Sequence, residues 1–518
     1  MKKNGAATLH SMRARISWNR IALLAALAVV CCQVLAFAQT VDLAAESRQA
    51  KELMSGGKFD DAIPIYERLV KAVPGNIGLL LNLALAEEMA GRHARAIPHF
   101  ETVLKAQPNN LAALVTLSMA RLQLHQTREA LPTLRKAVAL APKDMDALGM
   151  LADAEASQNL LEEASKHYRQ LTVANEADPR AWYGLGKAYE ALATNSFDRL
   201  NKLAPQSPYV AVLLADTRLQ RRQYRSAFFF YREAQKTLPE LPGLHAGLAL
   251  VYKATEHADW AEAEEKFEER IPPPDCTEQP VACAFLAGNF LDAVMTVPTG
   301  ATPATLFWLT RAYNQLAGNA FEKLGGLPES VQVHAFKAQT FHDHKQDLEA
   351  AEEWRAALKL SPDDAKLKQE LASALFDAKD YQGTMPFVEE QLRHEANSRE
   401  LNYLMGASLW RTEQAEKALP YLQAAVRGGS EFLPADAELG LTLVALGKNA
   451  DAIPYLKKAL ALDDDGSLHY SLARAYRGAG QTQLADEMMG QYQKIQKLNE
   501  QVNQQLAKEA EIGAPTNK

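Results

Sequence analysis

Most of the chain consists of paired amphipathic stretches with the apolar spacing of α-helices, and each pair is joined by a short polar turn. Residues 55–58 and 91–93 form two such turns. A proline follows the second stretch of successive pairs at positions 74, 108 and 142. Proline ends a helix because it lacks an amide N–H and clashes with the preceding turn. The pattern predicts an all-α fold built from antiparallel helix pairs.

The helix pairs repeat with a period of 34 residues. The three prolines have this spacing, and so do an alanine early in each second helix and a bulky residue four positions later. The alanine lets the facing helix approach closely, and the bulky residue fills the space between neighbouring pairs. These positions are Ala62, Ala96 and Ala130, and Tyr66, Phe100 and Leu134. In this frame, full units begin near residues 43, 77, 111, 145, 208, 242, 331, 365, 399, 433 and 466.

One first helix carries the spaced motif Trp182-x-x-Leu185-Gly186-x-x-Tyr189. Together with the period, this motif resembles the tetratricopeptide repeat (TPR) of exported bacterial proteins, a helix–turn–helix unit. The resemblance covers most of residues 43–490. It implies a right-handed α-solenoid of stacked antiparallel helix pairs, the TPR superhelix. The first helix of each unit would line a concave groove that binds other proteins.

Two segments, beginning near residues 179 and 303, start like repeats but are cut short. They also resemble each other, since residues 188–200 match residues 312–324 at a constant offset of 124. The array is therefore predicted to be partly duplicated. Each copy is expected to contain a shortened hairpin that bends the solenoid, near residues 194–207 and 318–330.

Residues 271–302 do not follow the 34-residue period. They begin with a run of prolines and contain Cys276 and Cys283. They are predicted to be an irregular connector. It would separate an N-terminal array, residues 39–270, from a C-terminal array, residues 303–490. Residues 491–518 are predicted to form a capping helix that solvates the end of the solenoid, followed by a disordered tail from Glu511.

The N-terminus has the features of an export signal. A basic stretch ends at Arg20, an apolar run extends from Ile21 to Phe37, and residues 36–38 give a small-x-small cleavage pattern before Gln39. Residues 1–38 are accordingly predicted to be a cleaved signal peptide, and the protein to be exported and periplasmic or envelope-associated. The alternative is an uncleaved membrane anchor, because the run is almost long enough to span a bilayer.

The charge balance argues against a broad nucleic-acid surface. The chain has 56 lysines and arginines against 63 aspartates and glutamates, for a net charge of −7. Five of the basic residues lie within residues 1–38, which contain no acidic ones, so the remainder is more acidic still. Binding to phosphate backbones needs net positive charge, and no nucleic-acid partner is expected.

Cys276 and Cys283 are the only cysteines after the signal segment. An even pair in a proline-rich loop of an exported chain favours a disulfide, since export places the pair in an oxidising compartment. The alternative is a reactive thiol. Zinc is disfavoured because two further ligands at a known spacing are missing.

Other candidate chemistry is sparse. His334, His342 and His344 cluster without the four-residue spacing and carboxylate typical of a metal site, which favours solvated or hydrogen-bonded histidines. Residues 228–231 form an aromatic run that either packs on the adjacent short hairpin or anchors a partner. Phosphate-binding loops, nucleophile elbows and zinc-protease motifs are absent from the sequence. We expect no catalytic activity, metal or cofactor.

The sequence favours a non-catalytic protein–protein interaction scaffold. Leu85, Met89, Met119 and Leu122 predict an apolar partner groove in the N-terminal array. One alternative is a structural component of an envelope assembly or export machine for outer-membrane proteins, pili or polysaccharide. Another is an enzyme that uses the cysteine connector. The oligomeric state and the identity of the partner stay open.

Overall fold

The structure is a computed structural model that describes residues 43–296, 300–427, 432–509 and 511–515. The predicted signal peptide, residues 1–38, lies outside these ranges. Within them the regular secondary structure is helical, without β-strands. No helix in the described ranges is both long enough and apolar enough to cross a bilayer.

The chain divides into two compact units, and the boundary between Leu171 and Thr172 falls within one helix. The helices are numbered in chain order. The first unit contains residues 43–55 (α1), Phe59–Ala72 (α2), Ile77–Met89 (α3), His93–Ala106 (α4), Leu111–Gln123 (α5), Thr127–Leu140 (α6), Met145–Ser157 (α7) and most of Leu161–Ala174 (α8). The second begins with Pro179–Leu203 (α9), Pro208–Gln220 (α10), Tyr224–Thr237 (α11), Leu244–Ala254 (α12), Ala258–Glu268 (α13), Pro280–Leu286 (α14), Phe290–Met295 (α15) and Pro303–Gly325 (α16). It continues with Val331–Asp343 (α17), Asp347–Leu360 (α18), Ala365–Asp377 (α19), Tyr381–Leu392 (α20), Arg399–Arg411 (α21), Ala415–Val426 (α22), Leu433–Ala445 (α23), Asn449–Ala459 (α24), Ser467–Gly478 (α25) and Thr482–Glu509 (α26).

The helices begin close to the unit starts predicted from the period. In the first unit, Asn76, Asn110 and Asp144 stand just before α3, α5 and α7, and each side chain accepts a hydrogen bond from a backbone N–H of the first turn. Such a cap satisfies an otherwise unpaired donor and stabilises a helix by about 1 kcal/mol. The 34-residue spacing of these caps therefore sets where each first helix starts. The prediction of an all-α solenoid is confirmed.

The core of the first unit is a series of small clusters between successive helices, whereas one larger cluster runs through α19–α26 of the second unit. In the first unit, Ala96 and Phe100 of α4 pack with Ala84 of α3 and Leu117 of α5, all fully buried or nearly so. In the second unit, consecutive helix pairs from α17 to α26 stack in chain order. This nearest-neighbour packing is the expected architecture of a repeat protein.

The two short hairpins predicted near residues 194–207 and 318–330 are not formed. Each segment is instead part of one long helix, α9 with 25 residues and α16 with 23 residues. The sequence explains this, since neither glycine nor proline occurs between Gly186 and Pro205, so nothing interrupts α9. The two long helices pack against each other, and α10–α15 are inserted between them in the sequence.

Two other segments differ from expectation. The connector contains two short helices, α14 and α15, and Pro280 stands in the first turn of α14, where its missing N–H is not needed. The capping helix does not begin at residue 491. It is the distal part of α26, which is continuous from Thr482 to Glu509. Residues 511–515 lie against α12, where Tyr252 contacts Gly513. Residues 516–518 lie outside the described residues.

Candidate functional site

The first helices of consecutive units lie side by side, and their shared faces are the candidate binding surfaces. In the first unit, α3 contacts α5. Met89 on α3 is 58% exposed and Met119 on α5 is 41% exposed. Leu85 and Leu122 are half-buried and pack against the cores of neighbouring pairs. Of the four predicted groove residues, the two methionines are therefore available to a partner, while the two leucines are shared with the core.

A row of charged residues lies beside this face. The family motif has a tyrosine at residue 189, and the equivalent positions in the first unit hold Glu87, Arg121 and Glu155, spaced by 34. Glu87 is fully buried. Its carboxylate is hydrogen-bonded to His99 Nδ1 at 2.8 Å, and Arg95 Nη2 lies 3.0 Å from its other oxygen as an ion pair.

The other two positions repeat this arrangement. The carboxylate of Glu155, which is 1% exposed, bonds His167 Nδ1 at 2.6 Å and Arg135 Nη2 at 3.1 Å. Arg121 Nη2 lies 2.8 Å from the carboxylate of Glu101 on α4. Arg121–Glu101 and Arg135–Glu155 link successive helix pairs, whereas Glu87 and the histidine contacts join the two helices of one pair. They were missed from the sequence, although the 34-residue spacing of alternating charges is a visible signal.

The second unit has an aromatic first-helix face that the sequence analysis also missed. Phe376 on α19 packs with Tyr381 and with Tyr403 on α21, at centroid distances of 5.4 and 5.9 Å. Tyr403 also packs with Phe432, at 5.3 Å. All four rings are half-buried. Burial raises the pKa of Tyr403 to about 12, so its hydroxyl stays protonated at neutral pH.

An ion pair between an exposed arginine and a buried glutamate lies next to this aromatic face. Arg411 Nη2 on α21 lies 2.5 Å from the Glu438 carboxylate on α23. Burial raises the pKa of Glu438, and the nearby guanidinium of Arg411 opposes that effect. An aromatic row beside a desolvated carboxylate can hold apolar and cationic side chains of a partner.

The connector is tied to α16 by a cluster around Arg311. The guanidinium lies over the rings of Phe285, Phe307 and Trp308, at 5.4–5.7 Å from their centroids. Its Nε is 3.3 Å from the Asp216 carboxylate, which also accepts a hydrogen bond from Tyr231 Oη at 2.6 Å. This cation, 19% exposed, holds α10, α14 and α16 together.

The two cysteines of the connector are brought together. Their sulfur atoms are joined at 2.11 Å, and their Cα atoms are 5.5 Å apart. Cys276, just before α14, is exposed, and Cys283, within α14, is half-buried. The bridge closes a small loop at the start of α14.

The remaining predicted candidates have partners or are packed. His334 Nδ1 lies 2.6 Å from the Glu353 carboxylate, and His342 Nδ1 lies 3.0 Å from Asp347. In the part of the chain that the structure describes, no three His, Cys, Asp or Glu side chains are grouped to hold a metal ion. In the aromatic run, Phe228 and Tyr231 are buried, while Phe229 and Phe230 are half-buried and pack together at 5.3 Å.

Comparisons with known proteins agree with this architecture. A family model described as tetratricopeptide repeat matches residues 47–110 and 437–485, and a second model of the same description matches residues 121–188. No curated protein sequence matches the chain.

Solved structures are similar over parts of the chain. A tetratricopeptide repeat protein from Parabacteroides merdae shares 12% identity over 64% of this chain and 98% of its own, with a TM-score of 0.31. YrrB, described as a TPR protein with an unusual peptide-binding site, shares 22% identity over 33% of this chain and 87% of its own, with a TM-score of 0.28. MamA from Desulfovibrio magneticus shares 20% identity over 33% of this chain and 97% of its own, with a TM-score of 0.30. The 34-residue period, the stacked helix pairs and the family-model matches together show that this chain contains tetratricopeptide repeats, over residues 47–110, 121–188 and 437–485.

Proposed function

We propose that this protein is a non-catalytic interaction scaffold of the cell envelope, which binds segments of partner proteins in a concave groove lined by its first helices. The observation that carries the proposal is the exposure of Met89 and Met119 on adjacent first helices, at 58% and 41%. Exposed methionines suit such a surface because the thioether side chain is flexible and adapts to different apolar partners.

The chemistry around this face supports binding over catalysis. The buried carboxylates of Glu87 and Glu155 are each held by an arginine and a histidine of adjacent helices. His99 of α4 holds Glu87 of α3, and Glu101 of α4 pairs with Arg121 of α5. Helix α4 therefore connects the two helices that present Met89 and Met119. In the second unit, the aromatic face at Phe376 and Tyr403 offers a further surface of the same kind.

The envelope location rests on the sequence of residues 1–38, with its basic start, apolar run and cleavage pattern before Gln39. It is tested by fractionating cells and measuring the mass and N-terminal sequence of the purified protein. A periplasmic or membrane-associated chain that begins at Gln39 supports export and cleavage. An envelope chain that retains Met1 indicates the uncleaved anchor instead, and a cytosolic chain contradicts export.

The binding function is tested by photo-crosslinking in intact cells. A photo-reactive amino acid replaces Met119 in one variant and Leu140 in a control. Leu140 is 45% exposed but lies on a second helix, α6. We expect discrete crosslinked partners at position 119 and few at position 140. Equal crosslinking at both positions would contradict groove binding and would instead fit a component with fixed neighbours on both faces.

A further inference from the structure

The chain's own C-terminal tail lies against the turns of two inserted helix pairs. We propose that the cleft between the α10–α11 and α12–α13 turns is a peptide-binding site, and that residues 511–515 are its intramolecular ligand. This goes beyond the proposed function, because the cleft lies at the turns of the helix pairs and not on the first-helix faces of the first unit.

A hydrogen bond from Tyr252 fixes the tail backbone. The Tyr252 hydroxyl donates to the carbonyl of Gly513 at 2.8 Å, although the two residues are 261 positions apart. The Tyr252 ring is fully buried and packs against Phe228 and Trp260, at centroid distances of 5.9 and 5.6 Å. Burial raises the pKa of Tyr252 to about 12. The hydroxyl is therefore a fixed and protonated donor at neutral pH.

The tail also lines an open cavity of about 950 Å³ between the two turns. Glu511 and Ile512 face the cavity from the tail, and Arg222 and Arg225 face it from the α10–α11 turn and the start of α11. Ile512 is half-buried there. One acidic and one aliphatic residue of the tail thus line the cavity in succession, next to the carbonyl that Tyr252 holds.

The charges in this cavity are complementary. Neither Arg222 nor Arg225 has a carboxylate within 4.0 Å among the residues that the structure describes. Glu511 brings a negative charge to the same cavity. Charges that line one cavity lie within reach of each other at physiological ionic strength, where screening sets in over about 8 Å. The two arginines therefore favour an acidic segment over a neutral one.

The length of α26 brings the tail to this cleft. The helix has 28 residues, which corresponds to a length of about 42 Å. Its direction is fixed near the last helix pair, where Gln496 and Asn499 donate hydrogen bonds to the carbonyls of Asp465 and Asp464, at 2.5 and 2.8 Å. In the sequence, the tail begins two residues after Glu509, the last residue of this helix. The cleft and the helix together hold the chain end on the inserted helices α10–α13.

The proposal is tested in the full chain with a photo-reactive amino acid in place of Ile512. We expect crosslinks to peptides that contain residues 221–226 or 252–257, in a product with the mass of one chain. Crosslinked dimers would overturn the intramolecular assignment in favour of the tail of a second copy. Crosslinks elsewhere, or none, would overturn the site itself.

Charge variants of the same probe chain test the role of the arginines. Arg225→Glu should lower the crosslink yield by about twofold to fivefold, because it replaces an attractive charge in the cavity by a repulsive one at the strength of an exposed charge pair. The matched control is Arg221→Glu, which makes the same charge change in the same turn at a residue that does not line the cavity. Equal losses in both variants would overturn specific recognition of the acidic tail.

Amide hydrogen exchange gives a readout that does not need the probe. In the wild-type chain we expect the amides of residues 511–514 to exchange more slowly than those of an unstructured peptide. Tyr252→Phe keeps the buried ring and removes the donor, so it should speed exchange of the tail by about threefold to tenfold while α12 stays protected. A wild-type tail that exchanges at the unstructured rate would overturn the proposal, and so would a tail unaffected by Tyr252→Phe.

Discussion

Tyr189 and Tyr313 pack against each other, with ring centroids 6.2 Å apart, although they occupy equivalent positions in two similar segments offset by 124 residues. Gly186 precedes Tyr189 and faces Phe321, which follows Tyr313, so α9 and α16 run antiparallel at this contact. The duplicated segments have thus become the two partners of one long helix pair. The helices α10–α15 are an insertion between those partners.

Close approach of α9 and α16 depends on Gly186. A Cβ atom at this position would lie 2.5 Å from the Phe321 ring. We expect Gly186→Ala to lower the free energy of unfolding by about 1–3 kcal/mol, because the ring must move within a packed interface. Chemical denaturation followed by circular dichroism measures this change.

The control for this prediction is Gly318→Ala on α16. A Cβ at Gly318 would meet no atom within 4 Å. Alanine there should raise the free energy of unfolding by about 0.5–1 kcal/mol, since glycine disfavours the helix interior. Two substitutions of equal sign and size would show that the glycine contact does not matter.

The charged row of the first unit should contribute to stability. Glu155→Gln removes the carboxylate that bonds both Arg135 and His167. We expect the free energy of unfolding to fall by about 1–3 kcal/mol, because a buried polar network loses its charged acceptor. The exposed Glu163→Gln on α8 is the control, with an expected change within about 0.5 kcal/mol. Equal effects of the two substitutions would contradict a structural role for Glu155.

The raised pKa of Glu438 predicts a pH dependence. A carboxyl with a higher pKa in the folded chain binds a proton more readily there, so its ionised form weakens folding at neutral pH. That penalty disappears as the pH falls through the folded pKa and below the unfolded value near about 4.3. The stability of the wild type relative to Glu438→Gln should therefore rise from about pH 7 to about pH 4, as measured by urea unfolding. A constant or falling difference would contradict this account.

The cysteine pair gives a prediction for the exported protein. Alkylation without reduction should leave the mass of the mature chain unchanged, since Cys276 and Cys283 are its only cysteines and are bridged. Cys276→Ser should speed amide exchange in the connector and leave the helices α4–α6 unchanged, because so short a loop stabilises by only about 2–3 kcal/mol, mainly locally. Two alkylated thiols in the native protein would revive the reactive-thiol alternative.

The sequence predicted the features that repeat locally. The unit starts near residues 77 and 111 and the packing of Ala96 and Phe100 recur every 34 residues, and a local period is enough to reveal them. The pairing of α9 with α16 could not be predicted in the same way. It joins segments more than a hundred residues apart, and a period carries no information about which distant helix covers an apolar face.

The candidate site was predicted only in part. Met89 and Met119 are exposed as a groove requires, whereas Leu85 and Leu122 are half-buried and pack against the core. The sequence could not separate the two kinds, because the apolar character of a residue does not tell an exposed position from a half-buried one. The tail contact with Tyr252 has no sequence signal at all. It depends on where the length of α26 places the chain end.

The most direct test of the scaffold function measures the affinity of a captured partner for two purified variants. Met119→Glu places a charge on the first-helix face, and Leu140→Glu places the same charge on an exposed second-helix position. We expect Met119→Glu to weaken binding by at least about tenfold and Leu140→Glu to change it by less than about twofold, as for a residue inside an interface and one outside it. Binding that Met119→Glu leaves intact, with the fold preserved in both variants, would contradict the account.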